Sequence, residues 1–165
     1  MPSAVLKEPA YKMLLGQMKT AESISKQCYN ASYNKWLVDI VNNDISKKCL
    51  SVSNIWVQGK VIQFNKASSG TDFEMLISDG SGVARVGGFN KLPKSVGYIK
   101  PNEYVMVIGH VTKVGELGNC MVGNNKLPLC TVLQAIKVTK LLNIDMWPNE
   151  VKDAQMHVLS CVSDV

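Results

Sequence analysis

Few residues in this chain have the type and spacing that chemistry requires. Five cysteines (Cys28, Cys49, Cys120, Cys130 and Cys161) are widely spaced, form no C-x-x-C pair, and share the chain with only two histidines, His110 and His157. Structural zinc takes four thiolate or imidazole ligands in close pairs, so no metal centre is expected. Asp72, Glu74 and Asp79 cluster around one hairpin. They read as a solvated edge, because a calcium loop would need more oxygen ligands. The stretch "DGSGVARVGG", residues 79–88, looks superficially like a glycine-rich phosphate loop. It lies between two strand patterns, without a following helix whose N-terminus would hold phosphate and without the lysine of a P-loop. A hairpin turn accounts for it. Neither histidine sits in a nucleophile pattern. The expectation is therefore a non-enzyme with no catalytic residue, no metal and no cofactor.

Nucleic-acid binding is the sharper chemical reading. Single strands are bound by stacking bases on aromatics inside a basic groove. Phe73 and Phe89 are the candidate platforms, with Lys60, Arg85 and Lys91 as phosphate partners. Against this, aromatic residues make up 7% of the chain and Arg85 is its only arginine. Phe73 also shares strand phase with Met75 and Ile77, an inward-facing set. The net charge of +5 is uneven. Residues 1–50 carry seven lysines against four acids, residues 51–142 ten cations against five acids, and residues 143–165 one lysine against four acids. A mildly basic body with an acidic tail permits nucleic-acid contact without requiring it.

These side chains have to be held by a small β domain. A length of 165 residues suits one domain with extensions, and 46% hydrophobic with 19% charged content is ordinary globular composition. The longest apolar run, Tyr104 to Ile108, is too short to cross a bilayer. The start of the chain lacks a basic segment followed by an apolar core, so no secretory signal is expected. Reduced thiols fit that setting.

Along the chain, Pro9 opens a helical pattern in which Tyr11, Leu14, Leu15 and Met18 share a face. Residues 20–34 read as a loop, "KWLVDIV" (35–41) as a strand or helical turn, and "NNDISKKC" as a turn. Five strands follow, at about Ile55–Asn65, Asp72–Ser78, "VARVGG", Tyr104–Val114 and Leu129–Leu142. Between the last two lies the long loop "GELGNCMVGNNKLP", with room for a small hairpin. Gly59 and Gly109 inside strands mark bends of the kind that close a small barrel. The fold class is mainly β: a single five-stranded OB-fold barrel over residues 51–142, an N-terminal helix and extension over 1–50, and a C-terminal helix over 143–165.

Two features ask for a cover. The first strand is apolar on both faces, with Ile55, Val57 and Val61 on one and Trp56, Ile62 and Phe64 on the other. The fourth repeats this, with Val105, Val107 and Val111 against Tyr104, Met106 and Ile108. A strand apolar on both sides is covered on both sides. In the tail, Pro148 opens a helix whose stripe is Trp147, Val151, Ala154, Val158 and Val162. A helix this short needs a surface to lie on. The cover is either the chain's own helices or another protein.

Four segments, "IWVQGKV" (55–61), "SDGSGVARVGGFNKLPK" (78–94), "KPNEYVMVIGHV" (100–111) and "LQAIKVTKL" (133–141), occur in an order that resembles the smaller OB-fold subunits of the RecQ-mediated genome instability (RMI) complex. The resemblance implies a nuclear, non-catalytic scaffold with little direct DNA binding. Its partner would be the C-terminal OB-fold of the larger RMI subunit, through helices that meet as in the core of replication protein A. Through that subunit it would join a Bloom-type RecQ helicase to topoisomerase III in double Holliday junction dissolution. It places an assembly contact on Lys137 and the tail helix's aromatic on Trp147 or Val151. The loop at 115–128 looks longer than in those subunits.

Overall fold

The computed structural model describes residues 10–18, 29–30, 35–40, 48–66, 73–89, 99–115, 117–141 and 147–161. In chain order the strands are β1 (Ala10–Lys12), β2 (Tyr29–Asn30), β3 (Lys35–Ile40), β4 (Lys48–Val52), β5 (Asn54–Lys66), β6 (Phe73–Ser78), β7 (Val83–Gly87), β8 (Tyr104–Val114), β9 (Asn119–Val122) and β10 (Asn125–Leu141). One helix, α1 (Trp147–Cys161), follows.

Five strands close on themselves in the order β5-β6-β7-β10-β8, with β8 returning to β5. The β7–β10 contact is parallel and the others are antiparallel. This is the five-stranded Greek-key barrel expected of an OB-fold. Strand β5 carries the closure, because its first half pairs with β8 and its second half with β6. It bends at Gly59, where a Cβ would stand 2.8 Å from the Ser78 carbonyl oxygen. Only glycine lets the backbones approach this closely.

The register explains why β5 looks apolar on both faces. Ile55, Val57 and Val61 point into the core. A bulge between Val61 and Gln63 then shifts the phase. Phe64 therefore comes opposite buried Met75 and packs against the core, 6.3 Å from the ring of Phe89. Trp56, before the bulge, remains on the outer face.

The N-terminal segment differs from its sequence pattern. Where a helix is expected, Ala10–Lys12 is extended and pairs in parallel with β5, followed by a single 3-10 turn at Leu15–Gln17. Met13, Leu15 and Met18 are buried in the core, while Leu14 is only half-buried. The turn is held by the β6–β7 hairpin. Asp79 accepts from the Leu15 N–H at 2.8 Å, and Ser81 Oγ accepts from the Gly16 N–H at 2.8 Å. Tertiary capping of this kind replaces the bonds that a helix would have made internally. Residues 35–40 resolve as strand, and a separate sheet β2-β3-β4 forms where a loop and a turn are expected.

Near the end of β10, the Lys140 ammonium pairs with Glu103, whose other oxygen accepts from the Lys100 N–H at 2.7 Å. The Lys140 hydrogen bond first, then that of Lys100, holds the Glu103 carboxyl below its ordinary value. A depressed carboxyl contributes stability above the unfolded group's pKa and loses it as pH falls through the folded value. Lys140→Ala is expected to move the Glu103 midpoint upward in a carboxyl-detected NMR titration; an unchanged midpoint would contradict the pairing.

Candidate docking interface at the C-terminal helix

Helix α1 begins with Trp147 ahead of Pro148, whose missing N–H costs nothing at a first turn, and with Glu150 near the positive end of the helix dipole. Its inward line is Trp147, Val151 and Gln155, spaced by four. Trp147 is 3% exposed, Val151 is fully inside and Gln155 is 5% exposed. Ala154 is half-exposed beside this line. The side chain of Val158 and all of Val162 lie outside the described residues.

Trp147 meets Trp56 with ring centroids 6.3 Å apart and planes tilted by 35°. The Lys12 ammonium stands 4.7 Å from the Trp56 centroid and 5.9 Å from that of Trp147. Both indole N–H groups are buried without a hydrogen-bond partner. Each orphaned donor costs about 1–3 kcal/mol. Burial of a tryptophan side chain stabilises by more, since truncating one in a core costs about 3–5 kcal/mol. The packing wins, and the contact is held by shape rather than by polar pairing.

About one turn beyond Val151, polar pairing takes over. Gln155 and Gln17 bond reciprocally: Gln155 Nε2 donates to Gln17 Oε1 at 2.6 Å, and Gln17 Nε2 donates to Gln155 Oε1 at 2.9 Å. Gln155 Nε2 also donates to the Lys12 carbonyl at 3.0 Å. The helix thus covers the free edge of β1. An apolar stripe at helical spacing does not include Gln155. The available signal was a glutamine four residues beyond Val151, in phase with it.

The outer surface of the barrel beside α1 is built in cross-strand rows. Lys137 pairs with Ile108, and Ile108 with Trp56. Thr139 pairs with Met106, and Met106 with Gln58; Leu141 pairs with Tyr104, and Tyr104 with Lys60. Directly paired residues point to the same side of a sheet. Lys137 therefore shares a face with Trp56, ~10 Å away across two strand spacings. Residues 108, 137 and 147, distant in sequence, converge on one surface. That surface is apolar along its middle, and Lys137 and Lys60 are exposed at opposite corners.

Among the described residues, the candidate nucleic-acid side chains do not converge. Phe89 is 6% exposed inside the core, so no base can stack on it here. Arg85 is exposed on another face, in the row Gln63–Leu76–Arg85–Val132–Lys113. Lys91 and the side chain of Phe73 lie outside the described residues. Among the described residues no cluster of metal-ligating side chains forms, and no helix is long and apolar enough to cross a membrane.

A closed five-stranded Greek-key barrel with a C-terminal helix laid against β1 and Trp56 of β5 defines an OB-fold protein. The sequence profile of RecQ-mediated genome instability protein 2 matches residues 9–155, and the chain belongs to that family. No relative is found among curated proteins. Among solved structures, a chain of a replication protein A heterotrimer bound to single-stranded DNA is similar at 12% identity, with a TM-score of 0.50 over 92% of this chain and 97% of that one. The telomere capping protein Ten1 from Saccharomyces pombe is 10% identical, with a TM-score of 0.48 over 90% and 99% of the two chains. A chain of the S. pombe Stn1–Ten1 complex is 11% identical, with a TM-score of 0.48 over 88% and 92%.

Proposed function

We propose that this chain is a non-catalytic, nuclear scaffold subunit that pairs with the C-terminal OB-fold of the larger RMI subunit. Through it, the protein supports assembly of a Bloom-type RecQ helicase with topoisomerase III for double Holliday junction dissolution. The observation that carries this reading is the convergence of Lys137, Ile108 and Trp56 with α1 on one outer face. Within the chain itself, Trp147 and Val151 anchor the helix to the barrel. The positions assigned here to another subunit are Ala154 on α1 and Ile108 and Lys137 on the barrel, all at least partly exposed. Family membership supports the same reading, and the similar replication protein A chain is itself one subunit of a heterotrimer. Direct single-strand binding loses its support where Phe89 is buried and Arg85 stands apart.

The test is co-expression with the C-terminal OB-fold of the larger RMI subunit, followed by size-exclusion chromatography with light scattering. A 1:1 complex is expected. Ala154→Asp and Ile108→Glu each place a charge at the centre of the face and are expected to weaken the complex at least ~10-fold, about 1.4 kcal/mol or more. Both positions are only half-buried, so the free chain should melt near the unaltered temperature. A monomer that ignores the partner, or a complex indifferent to both changes, would overturn the reading.

A further inference from the structure

The tip of the β6–β7 hairpin holds a chemically labile pair. Of the seven aspartates in the chain, Asp79 alone is followed by glycine, and no asparagine is. Glycine has no Cβ to shield its backbone nitrogen. The Gly80 nitrogen therefore has a path to Cγ of the Asp79 side chain. In that reaction an N–Cγ bond forms, and the carboxyl OH leaves with the amide proton as water, closing a succinimide ring. Water then reopens the ring. Breaking the N–Cγ bond restores aspartate. Breaking the bond from the nitrogen to the Asp79 main-chain carbonyl leaves the chain running through Cβ and Cγ, as isoaspartate. The water lost in the first step is regained in the second, so the residue isomerises without any other reactant.

The folded chain holds the reacting groups apart. Asp79 Oδ2 accepts from the Leu15 N–H at 2.8 Å, and Oδ1 accepts from the Ser81 N–H at 2.9 Å and the Ser81 hydroxyl at 2.6 Å. The Gly80 N–H donates to Ser78 Oγ at 3.1 Å. Turning Cγ toward that nitrogen breaks these bonds. Ser81 Oγ in turn accepts from the Gly16 N–H at 2.8 Å. The clasp is reciprocal: the hairpin caps the 3-10 turn, and the turn fixes the hairpin's carboxylate. Gly16 sits so close that a Cβ on it would stand 2.8 Å from the Ser81 carbonyl oxygen. Around Gly80 there is no such packing. It is exposed at φ +91°, with no atom within 4 Å of an added Cβ. The restraint comes from the clasp.

Isoaspartate would undo that clasp. It inserts a methylene into the main chain and leaves the free carboxylate directly on Cα, one carbon shorter in reach. The carboxylate then falls short of the Leu15 N–H, and Ser81 shifts relative to Gly16.

We propose that Asp79–Gly80 is a self-guarded isoaspartate site: the N-terminal segment 10–18 suppresses isomerisation while it is docked, and isomerisation releases that segment. Met13, Leu15 and Met18 are the core side chains that lose their polar cap. The same segment carries Lys12 and Gln17, whose oxygens accept from Gln155 of α1, so its release also loosens the helix. The site rests on the hairpin alone, and the proposal stands or falls separately from the heterodimer reading.

The test holds the full chain at neutral pH, in native buffer and in urea, with trypsin digestion of samples over time. The tryptic peptide 67–85 contains both Asp79 and Asp72, the latter followed by phenylalanine. Electron-transfer fragmentation locates isoaspartate at either position. It is expected at Asp79 and not at Asp72, and at least ~10-fold more slowly in native buffer than in urea, because only transiently opened chains react. Gly16→Ala pushes the segment off the hairpin and leaves the reacting sequence unaltered. It should raise the native rate ~10-fold and leave the urea rate unchanged. Ser81→Ala removes the clasp hydroxyl without adding bulk and should also raise the native rate ~10-fold, which decides the matter where Gly16→Ala does not fold. The isoaspartate form, separated by hydrophobic-interaction chromatography, should exchange its Leu15 and Gly16 amides ~10-fold faster than the aspartate form. A native rate equal to that in urea would overturn the proposal, as would a native rate that neither variant changes. Unchanged exchange at Leu15 and Gly16 in the isoaspartate form would overturn the release.

Discussion

Trp147→Ala is expected to cost about 3–5 kcal/mol of unfolding free energy, a large share of a small domain's typical stability. The ring fills the corner between α1 and the outer face of β5, stacked against Trp56 and flanked by Lys12. Its removal leaves Val151 and Gln155 to hold the helix and opens the free edge of β1. Trp147→Phe provides the contrast. It keeps most of the aromatic surface and removes an N–H that has no partner. The deleted donor offsets part of the lost area, so the expected change is about 1 kcal/mol. Urea unfolding monitored by circular dichroism separates the two. If Trp147→Phe were as damaging as Trp147→Ala, the indole N–H would have to be satisfied and the packing account would fail.

Gly59→Ala is expected to be the most damaging single methyl addition in the barrel. The added Cβ would meet the carbonyl oxygen of Ser78 at 2.8 Å and its carbonyl carbon at 2.9 Å. Both are backbone atoms, and β5 is gripped here by β8 on one side and β6 on the other, so neither strand can withdraw. Overpacking costs in cores run to about 3 kcal/mol, and a clash with fixed backbone belongs at or above that end. Gly87→Ala supplies the comparison, because no atom lies within 4 Å of its added Cβ. There the smaller entropy of the unfolded chain should make the change neutral or stabilising by up to ~1 kcal/mol. Equal urea midpoints for the two variants would refute the close-approach argument.

The barrel strands were legible because each carries its own period-two pattern between strong turn residues, as in β6, "DGSG" and β7. The close approach of β5 to β6 was legible through Gly59. The bulge at Ile62 was not: a phase shift of one residue leaves a run that simply looks apolar on both sides. The segment from Tyr11 to Met18 was misread for a related reason. Its apolar spacing fits a helix, but what fixes it is pairing with Asn54–Trp56 and capping by Asp79, both distant in sequence. At the candidate interface, the stripe reading found Trp147 and Val151 but placed the next inward position at Ala154. The helix rolls so that Gln155 takes that place, because a reciprocal amide partner waits at Gln17. Phe89 reads from sequence as a candidate base-stacking platform, yet it belongs to the core. Its partner Phe64 reaches the same core only through the unseen bulge.

The bond between Gln17 and Gln155 joins residues 138 positions apart. A ribosome releases the first of them long before the second, and domains generally begin to fold as they emerge. Strand β1 can lie on β5 as soon as β5 is out, yet its far edge waits for α1, which is made after every barrel strand. A chain interrupted before Trp147 would carry a completed barrel with a bare strand edge, the kind of surface that recruits other strands. Translation therefore leaves a timed window of vulnerability, which closes once α1 is made. Nascent-chain crosslinking to chaperones should peak in lengths that expose β5 but withhold the helix.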